Sequence, residues 1–380
     1  MLGVRKKKLL FFVAEDWYFC SHRLPLGVAA READYEVTVV TRVREHGEQI
    51  LEAGLRLIPI ELERRSANPL AEIRFLFQLW KIYRQEQPDL VHHVSLKPVL
   101  YGSLVAMLAG VPRVVNAMAG MGILFSSTSL KARVLRVPVL VAFRVLLGGG
   151  RKRMILQNPD NVAEMVGARI VSLERVRLIK GAGVNLAEYA LRPEPDGVPR
   201  IVLVARMLWD KGVGDFVAAA RLLRQQGVSA EFLLVGEPDD ANPATISTAQ
   251  LQSWQDDGVV QWLGRRSDVP AILASCHIAC LPSYYGEGVP KSLLEAAACG
   301  RAIVTTDAPG CREVVRDGEN GLLVPVKDVV ALAGAIKVLV EDPALRVRMG
   351  AAGRRLAEAE FSVESVAQQT LQVYAELLEA

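Results

Sequence analysis

Two glutamates with seven residues between them, Glu287 and Glu295, bracket the stretch of this chain best suited to chemistry. Residues 277–283 ahead of them read as a short buried strand running into a turn. Between the glutamates the pattern changes. Gly286, Gly288 and Val289 form a loop, Pro290 suits a first helical position, and Leu293, Leu294, Ala296 and Ala297 make an apolar face that Gly300 would end. A strand, a glycine-bearing loop and a helix N-terminus together make an anion site, because free backbone N–H groups and the positive end of the helix dipole point above the loop. The plainer account is a solvated loop acid at Glu287 and an early-helix acid at Glu295, favoured by the dipole. A second group lies beyond another apolar strand. Arg206 and Lys211 could converge on one anion, the arginine as a planar fork and the lysine as a point charge, or could be solvated loop cations.

The run from Glu287 through Ala296 resembles the E-x7-E signature of GT-B retaining glycosyltransferases of the glycosyltransferase 4 type. That resemblance implies that Glu287 contacts a donor sugar and that Glu295 accepts the ribose hydroxyls of a UDP-sugar. It also implies that Gly286, Gly288, Val289 and Pro290 bring the backbone to the diphosphate. Residues 205–212 resemble the family's Arg…Lys-Gly motif, which implies that Arg206 and Lys211 neutralise that diphosphate as it departs. Residues 234–237 and 262–269 resemble the next two family segments, with Gly236, Gly264 and Arg265 or Arg266 as implied base contacts. Residues 307–315 and 320–324 complete the pattern and shape the domain. The chain has no Asp-x-Asp motif, since Asp239-Asp240 and Asp256-Asp257 are adjacent pairs. No metal or other cofactor is therefore expected, and charge on the leaving group falls to Arg206, Lys211 and the helix at Pro290.

The first half resembles the subset of the family that adds sugars to polyprenyl-diphosphate-linked saccharides. The stretches that carry this are 17–26, 92–102 and 116–122. They make His22, His92, Lys97, Asn116, Gly120 and Gly122 candidates on the acceptor side, and His93 stands beside them. Many relatives of the broader family carry a histidine near Asn116, so no base is evident at that place here. A histidine at a strand end is also often a satisfied structural residue. Between Asp89 and Asp160 there is no acidic residue but nine cations, and residues 130–147 are very apolar around Arg133, Arg136 and Arg144. One account is a core helix with a solvated basic edge. The other is a surface including Lys131, Arg133 and Arg136 that meets anionic headgroups and receives a lipid-linked acceptor.

Length and charge frame these motifs. The 380 residues carry a net charge of +3, but residues 1–200 hold 29 Lys and Arg against 19 Asp and Glu, and the remainder 16 against 23. An acidic partner that meets the first half is expected, and no nucleic acid. Five cysteines without framework spacing argue for a reducing compartment. Cys276 and Cys280 flank His277 without a second ligand pair, which favours buried core over a metal site. Arg5 to Lys8 followed by 9–14 mimics a signal peptide but reads as a first buried strand. No segment reaches the roughly 18–20 uninterrupted apolar residues that span a bilayer.

Apolar strands alternate with helices twice, separated by a segment with three prolines and a glycine. The expected architecture is α/β, GT-B, with two doubly wound parallel-sheet domains. Residues 1–192 would bind acceptor, 193–199 would link, 200–359 would bind nucleotide sugar, and 360–380 would pack back toward the first domain. The expected activity moves a hexose or N-acetylhexosamine from a UDP-sugar to a polyprenyl-diphosphate-linked saccharide in bacterial glycan assembly. Its expected place is the inner face of the plasma membrane. A sugar-nucleotide epimerase and a non-catalytic membrane scaffold are the rivals.

Overall fold

Two all-parallel sheets form because their strands are apolar on both faces and so must be covered on both. The structure, a computed structural model, describes residues 5–62, 68–118, 140–284 and 288–379. It divides into one unit made of Met1–Ala182 with Val363–Ala380 and a second made of Gly183–Ser362.

The first unit carries seven strands: β1 (Lys7–Glu15), β2 (Tyr35–Arg42), β3 (Arg56–Pro59), β4 (Leu90–Val94), β5 (Val114–Met118), β6 (Lys152–Leu156) and β7 (Val176–Leu178). Their order is β3-β2-β1-β4-β5-β6-β7, all pairs parallel. The helix Leu24–Glu32 and the last helix, Val363–Glu379, cover one face through Leu26, Ala30, Val366, Val373 and Tyr374. Helices Pro69–Glu86 and Leu96–Ala109 cover the other through Phe75, Leu79, Ile82, Tyr83 and Val105. Arg113 fastens the end of the last helix by donating to Leu377 O at 2.7 Å and Leu378 O at 3.3 Å, a cation placed on orphan C-terminal carbonyls. Residues 16–22 form the short helix Asp16–His22. Its first residue accepts from the backbone N–H groups of Trp17, Arg44 and His46, the last two 28 and 30 residues along the chain, contacts that periodicity does not reveal.

The second unit carries β8 (Arg200–Val204), β9 (Glu231–Val235), β10 (Gln261–Trp262), β11 (Ile278–Leu281), β12 (Ala302–Thr306) and β13 (Gly321–Val324). They run β10-β9-β8-β11-β12-β13, again all parallel. The boundary differs from the expected one. Residues 193–199 lie inside this unit, because their carbonyls and one carboxylate are anchored to it. Arg301, fully buried, donates to the carbonyls of Arg192, Pro193, Cys276 and Cys299. Arg346 grips Glu194 through Nε and Nη2 at 3.1–3.2 Å, while its Nη1 donates to the carbonyls of Leu339 and Val340. His277 donates from Nε2 to Pro195 O and accepts the Arg200 N–H at Nδ1, so both ring nitrogens are engaged by backbone. Prolines lack N–H groups, and this segment offers carbonyls to arginines where a flexible linker would offer them to water.

Buried polar groups in the first sheet correct two expectations. His93 and Asn116 face each other across the β4–β5 pair. His93 Nδ1–H donates to Asn116 Oδ1 at 2.8 Å, Ser103 donates to the same oxygen, and the Tyr83 hydroxyl lies 3.0 Å from His93 Nε2. Gly102 leaves room for this ring, since a Cβ there would meet His93 Cδ2 at 2.5 Å. His92 points to the opposite face, where Nδ1 lies 2.5 Å from the Tyr374 hydroxyl. Both His92 and Asn116 are therefore sheet-core residues, Asn116 within β5 and not beyond it. Burial pushes His92 well below the ordinary histidine value, and pushes His93 down to about 4 although the Asn116 hydrogen bond opposes it.

Two tests follow from this packing. Arg301→Met should cost about 2–4 kcal/mol in denaturant unfolding, because it strands buried carbonyls; a loss below about 0.5 kcal/mol would make that buried charge dispensable. The histidines set an acid limit. Below 6.5 the unfolded chain binds protons that the folded chain refuses, so stability is full above pH 6.5 and falls toward pH 4. His93 alone should remove roughly 2 kcal/mol by pH 5. His93→Gln should flatten the melting temperature measured between pH 7.5 and 5, relative to the parent.

Candidate functional site

In the second unit the chain winds outward from β8 to β9 and β10, then returns to add β11 on the other side of β8. The strands diverge at that point, and their carboxyl ends leave a crevice between the loops that follow β8 and β11. Arg206 and Lys211 follow β8, and Gly288 through Glu295 follow β11. The topology thus carries both sequence constellations to one sheet edge.

Close backbone approaches hold that edge. Gly236, after β9, has φ +137°, and a Cβ there would lie 1.8 Å from Ala205 O. Met207 N–H donates to Glu237 O and Trp209 N–H to Ala244 O, which zips the loop after β8 to the loop after β9. Gly236 N–H in turn donates to Gly264 O at 2.8 Å. Gly264 has φ +64° with nothing within 4 Å of where its Cβ would stand, so the backbone here is open to a ligand. Gly212, at φ +72°, closes the other side: its Cβ would meet Pro282 O at 2.0 Å. Ser283 Oγ–H and Tyr284 N–H both donate to Asp210 O, tying the loop after β8 to the end of β11.

Charge is distributed along this edge. Arg206 Nη1 donates to Asp239 Oδ2 at 2.5 Å, so Asp239, which the sequence reading left as a polar loop residue, orients the arginine. Arg265 is exposed and lies 3.7 Å from Glu237, whereas Arg266 forms a bidentate pair with Asp268 at 2.8 Å. Lys211 ends a short 3-10 turn, Trp209–Lys211. The helix Lys291–Ala298 begins one residue later than expected, with Pro290 as its N-cap, and no side chain of the described residues caps its first turn. Gly288, Val289 and Pro290 are buried at its mouth. Gly286 and Glu287 lie outside the described residues.

Glu295 is only 7% exposed. Burial raises its pKa, while the Lys291 ammonium at 3.4 Å and a hydrogen bond from Tyr189 favour the carboxylate. Tyr189 was not singled out from sequence. It is buried in the 185–189 turn, whose carbonyls at Leu186 and Tyr189 accept from Arg354, which also holds Ala298 O at the end of the Glu295 helix. No local signal marks it; only the packing of that turn against the helix brings it to the carboxylate.

In the first unit the sheet diverges between β1 and β4. Ser95, within the 92–102 stretch, follows β4 at φ +80°, a strained value for a residue with a side chain. Lys97 lies just beyond and pairs with Glu72 at 2.9 Å. His22 stacks on Tyr18 with ring centroids 4.2 Å apart. Gly120, Gly122, Lys131, Arg133 and Arg136 lie outside the described residues. Several of the other cations in the acid-free interval serve the fold: Arg144 donates to Ala168 O, Lys152 to Leu146 O, and Arg153 lies 3.9 Å from Glu376.

Comparison with known proteins agrees with both units. Residues 8–146 match a "Glycosyl transferase 4-like" family model, and residues 198–342 match "Glycosyl transferases group 1". The chain is 30% identical to the N,N'-diacetylbacillosaminyl-diphospho-undecaprenol alpha-1,3-N-acetylgalactosaminyltransferase of Campylobacter jejuni, over 93% of this chain and 94% of that one. It is 25% identical to the UDP-Gal:alpha-D-GlcNAc-diphosphoundecaprenol alpha-1,3-galactosyltransferase of Escherichia coli, over 74% of each. Among solved structures, HepE of Anabaena in complex with UDP and glucose superposes with a TM-score of 0.78 at 17% identity, covering 98% of this chain and 100% of that one. That likeness carries the GT-B fold. With both family models matched and a relative that spans nearly the whole chain, the protein belongs to the group 1, glycosyltransferase 4-like family and is a glycosyltransferase.

Proposed function

We propose that this chain moves a hexose or N-acetylhexosamine from a UDP-sugar, with retention of configuration and without a divalent metal, to a saccharide carried on polyprenyl diphosphate. The observation that carries the reading is the meeting of Arg206, Lys211 and the N-terminus of the Lys291–Ala298 helix at one sheet edge. Two cations and a helix N-terminus supply the positive charge that a departing diphosphate requires. Glu295 would accept the ribose hydroxyls, held by Lys291 and Tyr189. The bond from the anomeric carbon to the diphosphate oxygen breaks as an acceptor hydroxyl attacks on the same face, and the hydroxyl proton passes to the departing phosphate oxygen. Glu287 would contact the donor sugar.

The acceptor class comes from the two relatives, whose names specify saccharides on undecaprenyl diphosphate. UDP comes from the complex formed by HepE and from the donor of the E. coli enzyme. No helix among the described residues is long and apolar enough to cross a membrane, and the proposed place of action is peripheral, on the inner face of a bacterial plasma membrane.

Release of UDP in the presence of a short-chain diphosphate-linked acceptor, with the mass of the extended lipid, tests the reaction. Activity should survive excess EDTA, while Arg206→Ala and Lys211→Ala should each lower turnover by roughly 10²–10³-fold. An enzyme silent in EDTA and rescued by Mg²⁺ would overturn the metal-free step. Binding of UDP alone separates the carboxylates. Glu295→Ala should weaken it by about 1.5–3 kcal/mol and Tyr189→Phe by about 1 kcal/mol, with Glu287→Ala near the parent; equal losses at Glu287 and Glu295 in calorimetry would remove this division of roles.

A further inference from the structure

The helix Pro69–Glu86 has two apolar faces, and only one of them meets the core. Phe75, Leu79, Ile82 and Tyr83 pack into the sheet beside Phe12 and Val91. On the opposite side Leu70 is 77% exposed, Ile73 62% and Phe77 53%. At about 100° per residue, these three fall within an arc of about 60°, with Trp80, half-buried against the core, at its edge, and Arg74, Lys81 and Arg84 within about 120° of the same direction. Phe77 and Trp80 stack with centroids 5.8 Å apart, and the Lys81 ammonium sits 4.6 Å above the Phe77 ring. Single exposed apolar side chains are ordinary, but a stacked row of them along one helix is not.

Charge on this helix is sorted by face. Its two acids lie on the inner side and are engaged there, Glu72 by Lys97 at 2.9 Å and Glu86 by Arg56 at 2.7 Å. The outer arc holds three cations and no acid. The ends are firm: Asn68 caps the first turn by accepting Leu70 N–H, Pro69 sits at the first position, and Gln87 closes the helix in the left-handed region. The row is therefore presented by a rigid, 18-residue element packed on the sheet.

We infer that the outer face of the Pro69–Glu86 helix, through Leu70, Ile73, Phe77 and Trp80 flanked by Arg74, Lys81 and Arg84, is a docking surface for an anionic lipid bilayer. An apolar row with a tryptophan lies at the boundary of acyl chains and headgroups, and long cationic side chains reach from its flanks to the phosphates. An anionic surface fits an arc that carries three cations and no acid, each cation contributing about fivefold to partitioning at low salt. The inference deepens the lipid-carried acceptor and rests on that reading for why the protein visits a membrane. It puts a membrane contact on a helix with an exposed apolar row, separate from the apolar and basic stretch around residues 131–136, which lies outside the described residues.

The test uses the full chain and vesicles of phosphatidylcholine with or without phosphatidylglycerol, without donor or acceptor. The parent should co-sediment with the anionic vesicles and release in high salt. Ile73→Ser/Phe77→Ser should weaken binding at least tenfold, and Arg74→Glu/Lys81→Glu/Arg84→Glu should reduce it to the level of neutral vesicles. Both variants should keep the parent's melting temperature, UDP affinity and transfer to a short-chain acceptor. Vesicle binding unchanged in both variants, or lost only on reversing Lys131, Arg133 and Arg136, overturns the proposal. So does a parent dimer, seen in sedimentation velocity and dissolved by Ile73→Ser/Phe77→Ser, with no vesicle binding. Absent sugar transfer together with helix-dependent vesicle binding would instead overturn the acceptor reading and leave the docking surface standing.

Discussion

No side chain fits between Gly236 and the carbonyl of Ala205, and the candidate donor site depends on that contact. Parallel strands that wind outward and then reverse leave their loops splayed at the reversal. The loops after β8, β9 and β11 must nonetheless touch if groups from separate strands are to reach one ligand. Gly236 and Gly212 permit the touch, with the Asp210 carbonyl accepting from Ser283 and Tyr284. Arg206 then has a fixed partner in Asp239, and the helix that begins after Pro290 starts at the same edge. A larger residue at either glycine would push apart loops whose value lies in their approach.

Behind this edge the second unit spends buried arginines on backbone carbonyls. Arg301, Arg346 and Arg354 hold the 185–195 segment against the sheet and the Glu295 helix. Burying a guanidinium is costly unless its donors are used, and here they are: Arg301 takes the Arg192 and Pro193 carbonyls, and Arg346 the Glu194 carboxylate with the Leu339 and Val340 carbonyls. Tyr189 rides on that clamped segment, so the environment of Glu295 is set from outside its own helix. The carboxylate sits between burial, which disfavours its charge, and Lys291 and Tyr189, which favour it. A buried acceptor of that kind is suited to hydroxyls that displace little water.

The first unit balances its surface differently. Its polar core groups, His92, His93 and Asn116, are consumed by the sheet and the helices on either side of it. Cations such as Arg113 and Lys152 cap carbonyls. What the fold leaves unspent is the outward row on Pro69–Glu86, apolar and basic at once. That outward row and the edge that gathers Arg206, Lys211 and Glu295 lie on separate units of this chain.

Alternating apolar runs determined the strands and most helices, because covering a parallel sheet on both faces demands near-continuous Val, Ile and Leu. Residue type and spacing also marked Arg206, Lys211, the glycine-bearing loop and Glu295, since each motif is local. Those signals could not say what a side chain faces. His92 and Asn116 have the composition of a site, but their strands pair in the sheet's interior. The three prolines after Arg192 have the composition of a linker, yet groups distant in sequence bind their carbonyls, Arg301 that of Pro193 and His277 that of Pro195, and the chain crosses between units at 182–183 and 362–363 instead. The Pro69–Glu86 helix shows apolar residues nearly all round. Only packing against the sheet decided that Phe75 and Leu79 are core while Ile73 and Phe77 face outward, because burial is a property of neighbours that lie far along the chain.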